Sequence, residues 1–372
     1  MKAQIPPHYR PDIDGLRAIA VLSVVLFHGF PNGFPGGFIG VDIFFVISGY
    51  LISSIIFTQT RDNTFSFIDF YSHRIRRIFP SLIVVLVSAL TFGWYALLAD
   101  EYRQLGNHTA ASGFFVENLA LWSESGYFDN TSETKILLHL WSLGIEEQFY
   151  IIWPVLLWIA CRARWNFLAM TLIIGISSFA LNIYEASISK NFVADFYSPQ
   201  TRFWELLIGA TLAYQSVFTS KPKSQFIENI LSIIGLLLIC LGLLVINKKV
   251  AFPGWWAIIP TLGAMLLIAA GSKGIINQHI LSNKTLVWIG LISYPLYLWH
   301  WPILSLARIM EGGVPSHFAR VVLILISFLL AFLSYRFIEI PIRFGANQQK
   351  KTIFLLITLF SITCIGFFIG YK

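Results

Sequence analysis

Eleven apolar segments divide this chain. Each is close to the length needed to cross ~30 Å of hydrocarbon as a helix. They run over residues 13–30, 37–58, 79–98, 137–160, 167–186, 202–218, 227–247, 255–271, 286–308, 317–340 and 352–371. Hydrophobic residues make up 56% of the 372 and charged residues 12%, with a mean hydropathy of +0.70. A soluble domain carries about 25% charged residues, and no water-soluble core of this size could hide so much apolar surface. The expected fold class is all-α, a polytopic transmembrane helical bundle. The three cysteines, Cys161, Cys240 and Cys364, show no CxxC or Cys/His spacing. Neither a disulfide framework nor a metal site is expected.

The net charge of +7 then reports topology rather than affinity for nucleic acid, since no basic stretch is interleaved with aromatic residues. With the N-terminus inside, the inner loops hold fifteen Lys and Arg and the outer loops nine. Lys248 and Lys249 fall on the wrong side. That bias places the N-terminus in the cytoplasm and, after eleven spans, Lys372 outside. The first segment carries Arg17 and His28 and lacks a small-x-small cleavage site, so it does not read as a cleavable signal. The polar stretches 59–78 and 99–136 read as an inner and an outer loop. Asn107 and Asn130 open Asn-x-Ser/Thr sequons that matter only in a eukaryotic secretory pathway. Four glycines between Gly33 and Gly40 predict a tight re-entry into the second span, with close backbone approach.

Arg17 and His28 lie eleven residues apart, three helical turns plus roughly 20°, so they share one face about 16 Å apart along the axis. Insertion scales charge roughly 2.5–3.5 kcal/mol for an arginine at mid-membrane. A polar pair kept there has a functional reading. Its plain alternative is that Arg17 snorkels to the surface and His28 caps an interhelical contact.

Sorting the other polar residues by depth gives two groups. Arg17, Arg74, Arg76, Arg77, Arg336 and Arg343 fall toward the inside. His28, His139, His300, Asp42, Glu146, Glu147 and Glu205 fall toward the outside. Guanidinium groups bind phosphate bidentately, so an arginine-rich inner mouth suits a phosphate-bearing cytoplasmic ligand. Histidines and carboxylates suit proton transfer to or from a hydroxyl. Each also has a structural reading. Positive-inside anchoring serves for Arg74, Arg76 and Arg77, and an aromatic interface belt for Trp299 and Trp301. An interhelical hydrogen bond serves for His300 and an ion pair for Glu339 with its arginine neighbours. Glu146 and Glu147 point ~100° apart on a helix, so only one can face a site.

Read together, the motifs are recognisable. They are DGLR at Asp14–Arg17 leading to His28, GVDIFFVISG at Gly40–Gly49, RIRRIFP at Arg74–Pro80 and HLWSLGIEEQFY at His139–Tyr150. RFWE at Arg202–Glu205, SYPLYLWHWP at Ser293–Pro302 and EIP at Glu339–Pro341 follow. In this order the chain resembles the acyltransferase-3 family of bacterial membrane O-acyltransferases, the group that includes O-antigen acetylases. The resemblance implies ten core helices over 1–345, with 346–372 a linker and an eleventh transmembrane helix. It implies transfer of an acyl group, acetyl as a rule, from cytoplasmic acyl-CoA (acetyl-CoA) across the bacterial inner membrane. The acceptor would be a hydroxyl of a periplasmic or cell-surface carbohydrate such as lipopolysaccharide O-antigen. His28, Arg17, Glu146 and His300 are then the expected catalytic residues. Arg17, Arg74 and Arg77 would hold the donor, and Asp42, His139, Glu147 and Glu205 would line the acceptor side. Many relatives continue into a periplasmic SGNH-type domain. This sequence has no GDS nucleophile motif after its eleventh segment, so a serine relay is not expected within it and a periplasmic partner domain is a candidate partner, beside membrane lipids. The alternative class is a transporter or proton-coupled permease, since buried His, Glu and Arg also mark proton paths. No internal repeat supports that alternative.

Overall fold

The computed structural model describes residues 9–124, 132–219 and 223–371. Lys2, Lys221, Lys372 and the Asn130 sequon lie outside them. Sixteen α-helices form over the described residues. They are α1 (Pro11–Gly29), α2 (Gly40–Arg61), α3 (Phe67–Ala96), α4 (Ala99–Gly113), α5 (Glu117–Glu124), α6 (Leu140–Arg162), α7 (Phe167–Tyr184) and α8 (Phe192–Tyr197). Then come α9 (Pro199–Phe218), α10 (Gln225–Val245), α11 (Ile258–Ala270), α12 (Lys284–Leu291), α13 (Ser293–Glu311), α14 (His317–Leu333), α15 (Ile340–Phe344) and α16 (Gln348–Tyr371). No strand occurs among the described residues, so the all-α class holds.

Local chemistry sets many helix starts. Ser66, Asn166, Ser224 and Ser316 each accept a hydrogen bond from the backbone N–H three residues on. That satisfies one of the four amides left open at a helix start. Pro11 opens α1, where its missing N–H costs nothing.

Seven helical stretches among the described residues are long and apolar enough to cross a membrane, so this is a multi-pass membrane protein. They are Gly37–Arg61, Phe67–Ala96, Leu140–Arg162, Phe167–Ser189, Gln225–Val245, His317–Phe344 and Gln348–Tyr371. The eleven expected segments do not all qualify, for chemical reasons. α1 carries Asp12, Asp14 and Arg17, and α9 carries Arg202 and Glu205. α11 has only 13 residues. The segment 286–308 breaks at Ile292 into α12 and α13. The helices that fall short include those bearing the most polar motifs.

Two compact units divide the contacts: Met1–Ser54 with Glu205–Ser293, and Ile55–Trp204 with Tyr294–Lys372. In the first, Ile13, Leu16, Ala20, Ile43, Val46, Leu212, Ile239 and Leu267 form one buried cluster. Lipid tails are as apolar as leucine, so close packing rather than water exclusion holds such helices together. Small residues permit it. A Cβ at Gly40 would stand 2.2 Å from the Ala20 carbonyl oxygen, and one at Gly37 2.2 Å from that of Ser23. The expected close backbone approach before α2 is present. A Cβ at Gly49 would stand 1.8 Å from the Leu206 carbonyl oxygen, and one at Gly290 1.9 Å from that of Asp14.

In the second unit the two expected polar loops are mostly helix. Of the stretch 59–78, only the five residues 62–66 between α2 and α3 lie outside helices. α3 spans 30 residues, about 45 Å at 1.5 Å per residue, longer than the hydrocarbon requires. Its first turns, with Asp69, His73, Arg74, Arg76 and Arg77, form the excess. The stretch 99–136 contains α4 and α5, and α4 packs along α16. Gly106 faces Gly366 and Gly370, and Gly113 faces Thr363. Composition hid this, because α4 is polar on average yet its Gly106–Gly113 run offers small residues for close contact. Large apolar side chains face outward on α7 (Ile173, Ile176), α10 (Leu237, Leu244), α14 (Phe318, Leu325) and α16 (Phe354, Phe360). These faces suit lipid.

Candidate active site

In the first unit, α1 is unbroken from Pro11 to Gly29, so the predicted Arg17–His28 spacing stands. Its base is tied down. Arg10 bonds the Asp12 carboxylate at 2.8 and 2.7 Å and the Ile268 carbonyl at 3.2 Å. Asn277 donates to both Asp12 and the Leu267 carbonyl at 2.8 Å. Tyr9 donates to Asp14 at 2.7 Å, and the other Asp14 oxygen lies 3.5 Å from the Arg17 guanidinium. Asp14 therefore turns Arg17 toward the start of the helix. His28 sits in the last turn of α1, half-buried, its ring 5.3 Å from that of Phe27. The Lys248 ammonium lies 5.4 Å from the Phe27 centroid. The lysine that strained the predicted topology thus stands near the His28 end. Asp42, in the first turn of α2, and Glu205 on α9 are fully buried.

In the second unit the depth sorting needs correction. Chain order alone sorts Glu146 and Glu147 with the histidines, away from the arginines. The fold brings Glu147 into electrostatic range of Arg74 and Arg77. Arg74 lies 5.5 Å over the Tyr150 ring, and Tyr150 donates to Glu146 at 2.7 Å. Arg343 pairs with Glu339 at 3.8 Å. The arginine mouth is therefore not bare: carboxylates interleave with it. Of the two adjacent glutamates, Glu147 is buried and Glu146 half-buried, as the ~100° offset requires. Arg76 is buried and donates to Thr352 at 2.9 Å. It ties α3 to α16 and leaves Arg74 and Arg77 as the pair able to meet a phosphate.

His139 and His300 form a second group. Both are buried, with ring centroids 5.7 Å apart at 81°. Tyr297 links them. Its hydroxyl donates to the His139 carbonyl at 2.7 Å and lies 2.7 Å from the Ser142 hydroxyl. Trp299 donates to Ser334 at 2.9 Å and Trp301 to the Lys135 carbonyl at 2.8 Å, and both rings are buried. The interface-belt reading of these tryptophans is therefore overturned: they clamp α13 to its neighbours. Arg202 is buried, 5.8 Å over Trp141 and 5.9 Å over Phe196.

The profile of a family described as "Acyltransferase domain" matches residues 10–336, an interval that takes in all these groups except Tyr9, Glu339, Arg343 and Thr352. The chain belongs to the acyltransferase-3 family. Among its relatives are the peptidoglycan O-acetyltransferase OatA of Listeria monocytogenes, 34% identical over 350 residues, and the putative peptidoglycan O-acetyltransferase YrhL of Bacillus subtilis, 35% identical over 365. The O-acetyltransferase OatA of Staphylococcus aureus is 33% identical over 366. These alignments cover 90%, 93% and 94% of this chain but only 56%, 57% and 60% of the relatives. No solved structure matches the chain. The names of the first two relatives specify peptidoglycan, where the sequence motifs had suggested O-antigen.

Sequence reasoning missed one cluster of charged side chains altogether. His108, Glu117 and Lys135 are buried together, with Glu124 half-buried beside them. The one signal was the small-residue run around His108.

Proposed function

We propose that the protein is a membrane O-acyltransferase that moves an acetyl group from cytoplasmic acetyl-CoA to a carbohydrate hydroxyl of the cell envelope. The observation that carries this reading is the family match over 10–336, which takes in the Arg17–His28 face of an unbroken α1. The relatives' names make a peptidoglycan hydroxyl the first acceptor to test. Lipopolysaccharide O-antigen is the second.

In this reading His28 takes the proton of the acceptor hydroxyl as its oxygen attacks the thioester carbonyl. The new C–O bond forms, the C–S bond breaks, and the proton goes to the departing thiolate. Arg74 and Arg77 in the second unit, and Arg17 in the first, are the candidates for charge-assisted contact with donor phosphates. Because Glu147 competes for Arg74 and Arg77, donor binding there is an exchange of carboxylate for phosphate. His300 and Glu146 assist proton transfer. Asp42, His139 and Glu205 line the acceptor side, and Glu147 joins them once the donor displaces it. The enzyme works in the bacterial inner membrane with its N-terminus in the cytoplasm.

The deciding measurement is acetyl-CoA turnover by the purified protein in detergent, with muropeptide, O-antigen oligosaccharide or no acceptor, read by mass spectrometry of the glycan. An acetylated glycan supports the reading and names the acceptor. No acceptor-dependent release of CoA, together with proton-coupled solute uptake in vesicles, would replace it with the permease.

A further inference from the structure

The cluster missed in the sequence has a geometry of its own. His108 Nδ1 lies 2.7 Å from Glu117 Oε1, and His108 Nε2 lies 3.4 Å from Glu124 Oε2. Lys135 Nζ donates to that same Glu124 oxygen at 2.8 Å. Ser112 donates to the other Glu117 oxygen at 3.3 Å. Four charge-bearing groups thus run in a row: Glu117, His108, Glu124, Lys135.

The row ends on a short strap, residues 133–139, which leads into α6. That strap is sewn to α13 through its main chain. Ser305 donates to the Glu133 carbonyl at 3.0 Å, Trp301 to that of Lys135 at 2.8 Å, and Tyr297 to that of His139 at 2.7 Å. At its near end Glu133 stands 3.9 Å from Arg308. At its far end His139 faces His300. From the strap, the Lys135 side chain reaches back to the α4–α5 cluster. Burying His108, Glu117 and Lys135 costs several kcal/mol per ion unless each is matched, and apolar residues would fill the space at less cost. A matched row is worth keeping where position matters more than stability.

We infer that Lys135, held through Glu124 by His108 and Glu117, is a positioning residue that seats His139 against His300, and that the seat depends on the proton shared by His108 and Glu117. This rests on the acyl-transfer reading only for its effect on turnover. With His108 protonated the row is neutral, two cations to two carboxylates. Without that proton the buried Glu117 and half-buried Glu124 carboxylates share one ammonium. Lys135 is then drawn toward both, and the strap follows. α4 and α5 lie outside the spanning helices. Burial alone would lower the His108 imidazole, but Glu117 and Glu124 outweigh it and hold it above its ordinary value, while Lys135 opposes them. Burial pushes the Glu117 carboxyl up, against the pull of His108. Ser112 bonds Glu117, and on α16 Thr363 lies against Gly113 of the same helix as His108.

Hydrogen–deuterium exchange of the full chain in detergent reads the strap directly. Corrected for intrinsic rates, residues 133–140 should exchange ~10-fold faster at pH 9 than at pH 6. Lys135→Met should exchange fast at both, Lys135→Arg should restore protection at pH 6, and His108→Gln should lose the pH response. Protection unchanged in Lys135→Met, or a wild-type pH response in His108→Gln, would overturn the inference. If Lys135→Met does not fold, Glu124→Gln makes the same cut. In turnover, Lys135→Met should lower kcat ~10-fold or more with KM for donor and acceptor within about twofold. Loose exchange with unchanged kcat would also overturn it. A wild-type protein with no turnover on any glycan would instead defeat the acyl-transfer reading, and the exchange data would still decide the strap.

Discussion

At the scale of single residues, His28 is the sharpest test of the proposed chemistry. It occupies the end of an unbroken helix whose base is held by the Arg10, Asp12 and Asn277 contacts. His28→Ala should leave that base and the fold intact while transfer falls at least ~10²-fold. Equal membrane abundance with near wild-type turnover would remove His28 from the mechanism. The arginines are tested by opposite substitutions. Arg74→Glu with Arg77→Glu should weaken acetyl-CoA binding in isothermal titration. Glu147→Gln should tighten it by roughly 3- to 10-fold, because the guanidiniums lose a competing carboxylate. No change in either variant would make Arg74 and Arg77 topology anchors and nothing more.

At the scale of elements, the α4–α16 contact is the feature to probe. Expected as an eleventh span, α16 is long and apolar enough to be one, and it also supplies the surface on which α4 lies and the Thr352 that receives Arg76. A Cβ at Gly366 would stand 2.9 Å from backbone atoms of Gly106 and Ala110. Gly366→Leu should therefore cost about 1–3 kcal/mol, the usual penalty for overpacking. Thermal unfolding in detergent measures it, and an unchanged midpoint would mean that the two helices do not pack. The same elements carry a pH dependence. His108 and Glu117 both hold their proton more tightly in the fold than in the unfolded chain. The His108 contribution is complete below the unfolded histidine value of ~6.5, that of Glu117 below the unfolded carboxyl value of ~4.3, and each is lost as pH rises through the folded value. The unfolding midpoint should thus decline from pH 6 toward pH 9, and His108→Gln should flatten that decline. A wild-type midpoint that rises over this range would contradict the assignment.

For the whole molecule, orientation is the open quantity with the clearest assay. The lysine and arginine bias places Lys372 on the outer side. Alkaline phosphatase fused after Lys372 should be active and a fused green fluorescent protein dark. The reverse pattern would flip every inner and outer assignment that follows the miscounted span. Four of the eleven apolar segments fall short of spanning length or apolarity, so the count itself is under test.

The all-helical class, the multi-pass character and the family were legible in the sequence, because long apolar runs and ordered motifs are local properties. The shared face of Arg17 and His28 was legible for the same reason, since helical period alone decides it. Partners across helices were not. That Arg76 turns to Thr352 while Arg74 lies over Tyr150 depends on which neighbour each helix meets. The interleaving of Glu147 with the arginines was hidden because α3 begins earlier than its apolar stretch, which shifts the level at which Arg74 meets α6. The burial of His108, Glu117 and Lys135 was hidden because α4 is polar by composition. The glycine-lined surface of α16, more than 250 residues later in the chain, lets that polar helix pack closely, and only tertiary structure decides such a contact.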